Sequence, residues 1–155
     1  MRVATNSDEE FRFWLTRRFV KALRPHLGKA LTTQPQIQTQ ANPEARRELL
    51  KFEHEQAVRA SDFNTPYQDS SKSLPLGDQP LVLTRFQMRP ETSGTITLAL
   101  GPEKGRGIDL ALNPTLIHSI LALMDTAIKA AAWDLPGAEV AAEVAPADTR
   151  STALN

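Results

Sequence analysis

The apolar and polar positions in the first part of the chain predict a helix that begins directly after Ser7. Ser7 followed by Glu10 is the pattern of a capping box, in which each side chain bonds to the other residue's backbone N–H. An apolar stripe with helical spacing follows, formed by Phe11, Leu15, Phe19, Ala22 and Leu23. Pro25 cannot donate a backbone hydrogen bond, so we expect the helix to end or kink there, with Gly28 as its stop.

A second helix is predicted over residues 43–60, after a polar segment. Asn42 and Pro43 are typical of a helix start. The narrow apolar stripe of this helix consists of Ala45, Leu49, Phe52 and Gln56. Residues 32–42 are glutamine-rich and have too little apolar surface to offset the entropy cost of ordering them, so we predict a linker. Residues 61–79 are predicted to be an irregular loop that is either functional or partly disordered.

Three segments in the second half of the chain alternate apolar and polar residues, which is typical of strands with one buried face. They are 81–88, 95–100 and 107–112. The short connections between them contain Gly and Pro, as hairpins do, so we predict a three-stranded antiparallel meander. Residues 2–5 are a candidate for a fourth, N-terminal edge strand.

The last predicted helix begins at Asn113 and Pro114 and reaches about Leu135. It is apolar around more than half of its circumference, so we predict that it packs on the inner face of the meander. The fold class that follows is α+β: two N-terminal helices, the meander, and a C-terminal core helix. We expect one domain, 1–135, and a disordered acidic tail, 136–155, because the tail is rich in small residues.

Composition narrows the functional classes without choosing among them. The chain has 155 residues, 18 basic and 18 acidic side chains, and no cysteine. The missing cysteines exclude a disulfide scaffold, a thiol nucleophile and a Cys-ligated metal, and they fit a reducing cytoplasm. No apolar stretch resembles a signal peptide or a membrane span, so we expect a cytoplasmic protein without a membrane partner.

The zero net charge hides an uneven distribution along the chain. Residues 11–31 hold six basic side chains and no acidic one, and most of the six lie on the predicted first helix. The candidate partner-binding residues are the tryptophan and the cations of one sector of that helix: Trp14, Arg17, Arg18, Lys21 and Arg24. Cations beside a flat aromatic ring can meet acidic side chains or phosphates, so the sector predicts a contact surface.

Other chemistry-bearing residues give weaker indications. His26, His54 and His118 have no helical spacing that brings two of them together, so we predict neither a metal nor another cofactor. The glycine-rich segment 101–107 precedes a strand and lacks the order of a Walker loop, so we interpret it as a hairpin turn. At most, Lys104 and Arg106 in that turn would make a weak anion contact.

The function that the sequence favours is a non-enzymatic protein-interaction or regulatory module that uses the basic first helix. The first alternative is binding of nucleic-acid phosphates by the same helix, weakly because the net charge is zero. A third hypothesis is a small-ligand binder or enzyme with a pocket between sheet and core helix, which His118 or Tyr67 beside a carboxylate would support. Pairing of two copies into a homodimer is a variant of the first hypothesis. No catalytic residue is predicted.

Overall fold

The computed structural model describes residues 1–67, 73–92 and 94–135, and within them the predicted α+β class is confirmed. In chain order the strands are β1 Arg2–Ala4, β2 Glu10–Trp14, β3 Leu81–Val82, β4 Arg85–Pro90, β5 Ile96–Gly101 and β6 Ile108–Leu112. The helices are α1 Arg17–Thr32, α2 Pro35–Gln38, α3 Pro43–Ala60 and α4 Pro114–Ala130. The predicted acidic tail, 136–155, and residues 68–72 of the predicted loop lie outside the described residues.

The predicted capping box is wrong, because residues 10–14 form strand β2 rather than the start of a helix. β2 pairs antiparallel with β1 on one side and parallel with β3 on the other. Hydrogen bonds to these two strands satisfy the backbone of β2, and Phe13 is almost completely buried. Together these contributions stabilise the segment more than a single helix cap would. The N-terminal strand is therefore real, but it belongs to this separate sheet and not to the meander.

Helix α1 begins at Arg17, with Thr16 as its cap. The Thr16 hydroxyl accepts a hydrogen bond from the backbone N–H of Phe19 at 3.2 Å. The predicted stop at Gly28 is also wrong, since the helix continues through Pro25 to its last residue, Thr32. The apolar face continues as well, and its buried members beyond the proline are Leu27 and Leu31. Burial of that face stabilises the turns that lack the hydrogen bond of Pro25.

The segment that was predicted as a linker contains the short helix α2. Ile37 on this helix is buried in the core and holds the segment against it. The polar composition of the segment did not indicate this contact. Helix α3 has the predicted bounds, but it buries Leu50 and Ala57, whereas Phe52 is 56% exposed. The predicted stripe of α3 is therefore rotated away from the neighbouring helix, α4.

The antiparallel meander β4–β5–β6 is confirmed. Ile96, Leu98 and Leu100 of β5 are buried, as the alternation predicts. Gly105 has φ +103° in the hairpin between β5 and β6, so it supplies the positive φ that this turn requires. Val82 is not part of the meander, because it pairs with Trp14 in the other sheet.

Helix α4 is the central packing element, as predicted, although it ends at Ala130 rather than near Leu135. The Asn113 side chain caps it by accepting from the N–H of Leu116 at 2.8 Å. Its buried face contacts α1, α3 and β6, and the core unites residues from every layer. Leu116 and Leu123 lie outside that face and are exposed, so α4 buries less of its circumference than its composition suggests.

Candidate functional site

A tryptophan and an edge strand form the most apolar exposed part of the first sheet. Trp14 is the last residue of β2 and is 62% exposed. Val82, its partner in the parallel pairing of β2 with β3, is 46% exposed. Both side chains are in water although each belongs to a strand whose other face packs on the core, so they form an unusual exposed apolar pair.

Three of the predicted cations lie on the first two turns of α1, directly after Trp14. Arg17, Arg18 and Lys21 are all exposed. The Arg17 guanidinium donates to the backbone carbonyl of Asp134 at 2.6 Å. Within the described ranges, no carboxylate lies within 4.0 Å of Arg18 or Lys21. We call the set Trp14, Val82, Arg17, Arg18 and Lys21 the Trp14 surface.

Arg24 is not part of the Trp14 surface. It is buried, and its guanidinium pairs with the carboxylate of Asp125 on α4. The prediction that Arg24 is available to a partner therefore fails, because helix α4 already occupies that position. The other predicted cations, Lys104 and Arg106, are exposed in the hairpin before β6, and their anion contact stays a prediction.

A second polar site lies between α2, α3 and the start of α4. A groove of about 470 Å³ opens there, and we call it the α3–α4 groove. Its polar lining consists of Gln34, Gln36, Glu53, Gln56, Asn113, Thr115 and His118. It lies among helices rather than between the sheet and the core helix, so the pocket predicted in that other position stays a prediction. The groove does hold His118 near a carboxylate, a combination that supports the ligand-binding hypothesis.

Two histidines that are distant in the sequence meet next to this groove, which His118 lines. The Nδ1 atoms of His54 and His118 are 3.3 Å apart, and Nε2 of His118 is 4.0 Å from Oε2 of Glu53. Burial, and secondarily the neighbouring His54, lowers the pKa of His118 to about 4, so its ring is neutral at pH 7. The two histidines are 64 positions apart, and helical spacing rules apply only within one helix, so they could not reveal this contact.

A buried carboxylate in the first sheet has a hydrogen-bond donor on each of its oxygens. Glu10 is 2% exposed and accepts hydrogen bonds from the Tyr67 hydroxyl and, at 2.5 Å, from Nε of Arg12. These bonds, that from Tyr67 first, hold the pKa of Glu10 below its usual value. Arg2 stacks over the Tyr67 ring at 5.4 Å. Both Glu10 oxygens therefore accept a hydrogen bond, and the cluster connects β2 with Tyr67.

The described residues contain no cluster of three or more His, Cys, Asp or Glu side chains arranged to hold a metal ion. In the same ranges, every helix is too short or too polar to cross a bilayer. Comparisons of the chain with protein-family models, with curated proteins and with solved structures gave no match.

Proposed function

We propose that this protein is a non-enzymatic interaction module that binds an acidic segment of another protein through the Trp14 surface. The observation that supports this most directly is Trp14 itself, a large side chain left 62% exposed beside Arg18 and Lys21, which have no carboxylate partner among the described residues. Tryptophan and arginine are the residue types that contribute most to binding when an interface buries them.

The chemistry of the surface defines the partner. An aliphatic or aromatic side chain of the partner would cover Trp14 and Val82, and its carboxylates would face Arg18 and Lys21. These two cations have no carboxylate partner in the described part of the chain, so binding would not require an ion pair to be broken first. The apolar pair would contribute affinity, and the cations would contribute orientation and association rate.

A protein partner is favoured over a nucleic acid because the cationic sector is smaller than the sequence suggests. Arg24 is buried against Asp125, and Arg17 already donates to a backbone carbonyl. Nucleic-acid affinity grows with the number of phosphates neutralised, and two fully available cations supply few such contacts. An exposed Trp14 beside an apolar edge strand serves a protein interface directly.

The test is selection of binding peptides from a displayed random library, followed by titration of the enriched peptides. We expect enrichment of sequences with Asp or Glu next to a large apolar residue. Trp14→Ser and Lys21→Glu should each weaken binding at least about tenfold. The matched controls are Phe52→Ser and Lys51→Glu, which make the same changes at exposed positions of α3 and should leave affinity unchanged.

Three results would contradict the proposal. One is enrichment without acidic residues, and another is an equal loss of affinity in the control variants. The third is binding of labelled DNA or RNA at about 50 mM salt that Lys21→Glu abolishes and Trp14→Ser does not, which would favour the nucleic-acid alternative. Light scattering on the same variants would detect self-association as a competing use of the surface.

A further inference from the structure

The α3–α4 groove is a second candidate binding site, independent of the Trp14 surface. Its volume, about 470 Å³, lies within the range of small-molecule sites. Four of its ten lining residues are amides, which both donate and accept hydrogen bonds, and none of the described lining residues is a lysine or an arginine. Glu53 is the one carboxylate side chain among the described lining residues.

Two buried polar atoms at this site have no hydrogen-bond partner among the described residues. They are Oε2 of Glu53 and Nε2 of His118, and they lie 4.0 Å apart. The His118 side chain is only 2% exposed, so bulk water does not form a hydrogen bond with its ring nitrogen. Leaving a buried polar atom unpaired costs on the order of 1–3 kcal/mol, and two such atoms facing each other indicate a missing partner.

The tautomer of His118 decides which kind of partner its Nε2 atom needs. A neutral His118 ring has one N–H, and its Nδ1 lies 3.3 Å from Nδ1 of His54. When His118 donates from Nδ1 to His54, its Nε2 carries a lone pair and faces the Glu53 carboxylate. Two acceptors then face each other with no proton between them. A nitrogen bearing several N–H groups can sit about 2.9 Å from both.

We propose that the α3–α4 groove binds a small primary amine as its ammonium ion, held between Glu53 and His118. The ammonium supplies donors to both unpaired acceptors and a positive charge for the carboxylate. Oε2 of Glu53 is buried, and rotation about the terminal side-chain bond, which is soft, brings it to the ammonium. The amides of Gln34 and Gln56 bind the polar remainder of the ligand.

An anion fits the groove poorly, although the groove contains the start of a helix. Pro114, the first residue of α4, has no backbone N–H, and the Asn113 side chain already accepts from the N–H of Leu116. The donors that usually hold a phosphate at a helix start are therefore reduced here. The Glu53 carboxylate would also repel an anion, so the charge of the site selects a cation.

The experiment is an NMR titration of the isotopically labelled protein with 1,4-diaminobutane at about 150 mM salt, where exposed charges are largely screened. We expect saturable shifts of the groove residues Ala57, Ala60 and Thr115, with a Kd of about 1 mM or tighter. Neutral 1,4-butanediol and anionic succinate should bind at least about tenfold more weakly. Glu53→Gln should weaken the diamine to the same degree. Glu55→Gln removes the same charge from an exposed position of α3 and should leave binding unchanged.

A second variant keeps the test decisive if Glu53→Gln alters folding. Gln56 lies one helical turn after Glu53, so Gln56→Lys places a tethered ammonium at the site. We expect this variant to lose diamine binding and to unfold at a higher temperature. The proposal is overturned by shifts that do not saturate, by equal binding of diol or succinate, or by unchanged diamine affinity in Gln56→Lys.

Discussion

The guanidinium of Arg24 on α1 hydrogen bonds to the carboxylate of Asp125 on α4, across the contact between the two helices. The Arg24 side chain is 8% exposed and that of Asp125 is 32% exposed, so the pair lies at the edge of the core. Arg24 therefore connects two helices instead of facing solvent with the other cations of α1. We therefore expect its charge to matter for stability, whereas Lys21 is exposed and belongs to the proposed binding surface.

Charge reversal should separate these two roles. Arg24→Glu places a second carboxylate against Asp125 in a buried position, and we expect it to lower the free energy of unfolding by at least about 3 kcal/mol. Lys21→Glu changes an exposed residue and should stay within about 0.5 kcal/mol of the parent. Urea unfolding followed by circular dichroism measures both. Equal effects of the two substitutions would show that Arg24 is not held in the interface.

The start of α1 is testable with a pair of cap substitutions. Thr16→Ala removes the hydroxyl that accepts from the N–H of Phe19 and should cost about 1 kcal/mol of stability. Ser7→Ala removes the residue that the sequence pattern predicted as the cap, but Ser7 precedes strand β2, so the cost should be near zero. Thermal unfolding of both variants gives the comparison. A larger loss in Ser7→Ala would restore the predicted capping box.

The wrong start of the first helix has a physical cause in the residues themselves. Phe11 and Leu15 fit a helical stripe, but Phe11, Phe13 and Leu15 also alternate as in a strand, and five residues cannot separate the two periods. Pairing with β1 and β3 decides the outcome, and β3 is far away in the sequence. The meander was predictable because its strands alternate over their whole length and are joined by short hairpins.

In the candidate sites too, residues close in sequence were predictable, whereas contacts between residues far apart in sequence were not. Trp14, Arg17, Arg18 and Lys21 are close in sequence, and composition alone indicated them as a surface. The burial of Arg24 depends on Asp125, 101 positions away, and the meeting of His54 with His118 depends on how α3 packs on α4. Neither contact leaves a pattern within one element, so only the packed structure reveals it.

Two glycines should respond oppositely to alanine. Gly28 lies inside α1, and an added methyl group there meets no atom within 4 Å, so Gly28→Ala should stabilise the protein by about 0.5–1 kcal/mol. At Gly107 the added carbon would lie 2.1 Å from the carbonyl oxygen of Leu100. The hairpin holds that backbone in place, so Gly107→Ala should cost about 2 kcal/mol or more. Urea unfolding midpoints that move in the same direction for both variants would contradict this assignment.

The buried ring of His118 should make stability depend on pH between about 6.5 and 4. Its pKa is about 4 in the folded protein and takes its ordinary value, 6.5, when the chain unfolds. Over this window the unfolded chain binds a proton that the folded protein rejects, so the free energy of unfolding falls as the pH falls. One proton limits this contribution to about 1.4 kcal/mol per pH unit, and it levels off below the folded pKa.

Urea unfolding at a series of pH values measures this contribution when the parent is compared with His118→Gln. We expect the variant to have a shallower dependence over the window, while His26→Gln, which removes an exposed histidine of α1, keeps the parent's slope. The groups that face His118 from α3 act in opposite directions. His54 disfavours a charge on the ring, whereas the Glu53 carboxylate at 4.0 Å favours one. If Glu53 dominated, acidification would stabilise the parent relative to His118→Gln, and burial would not be the force that keeps this ring neutral.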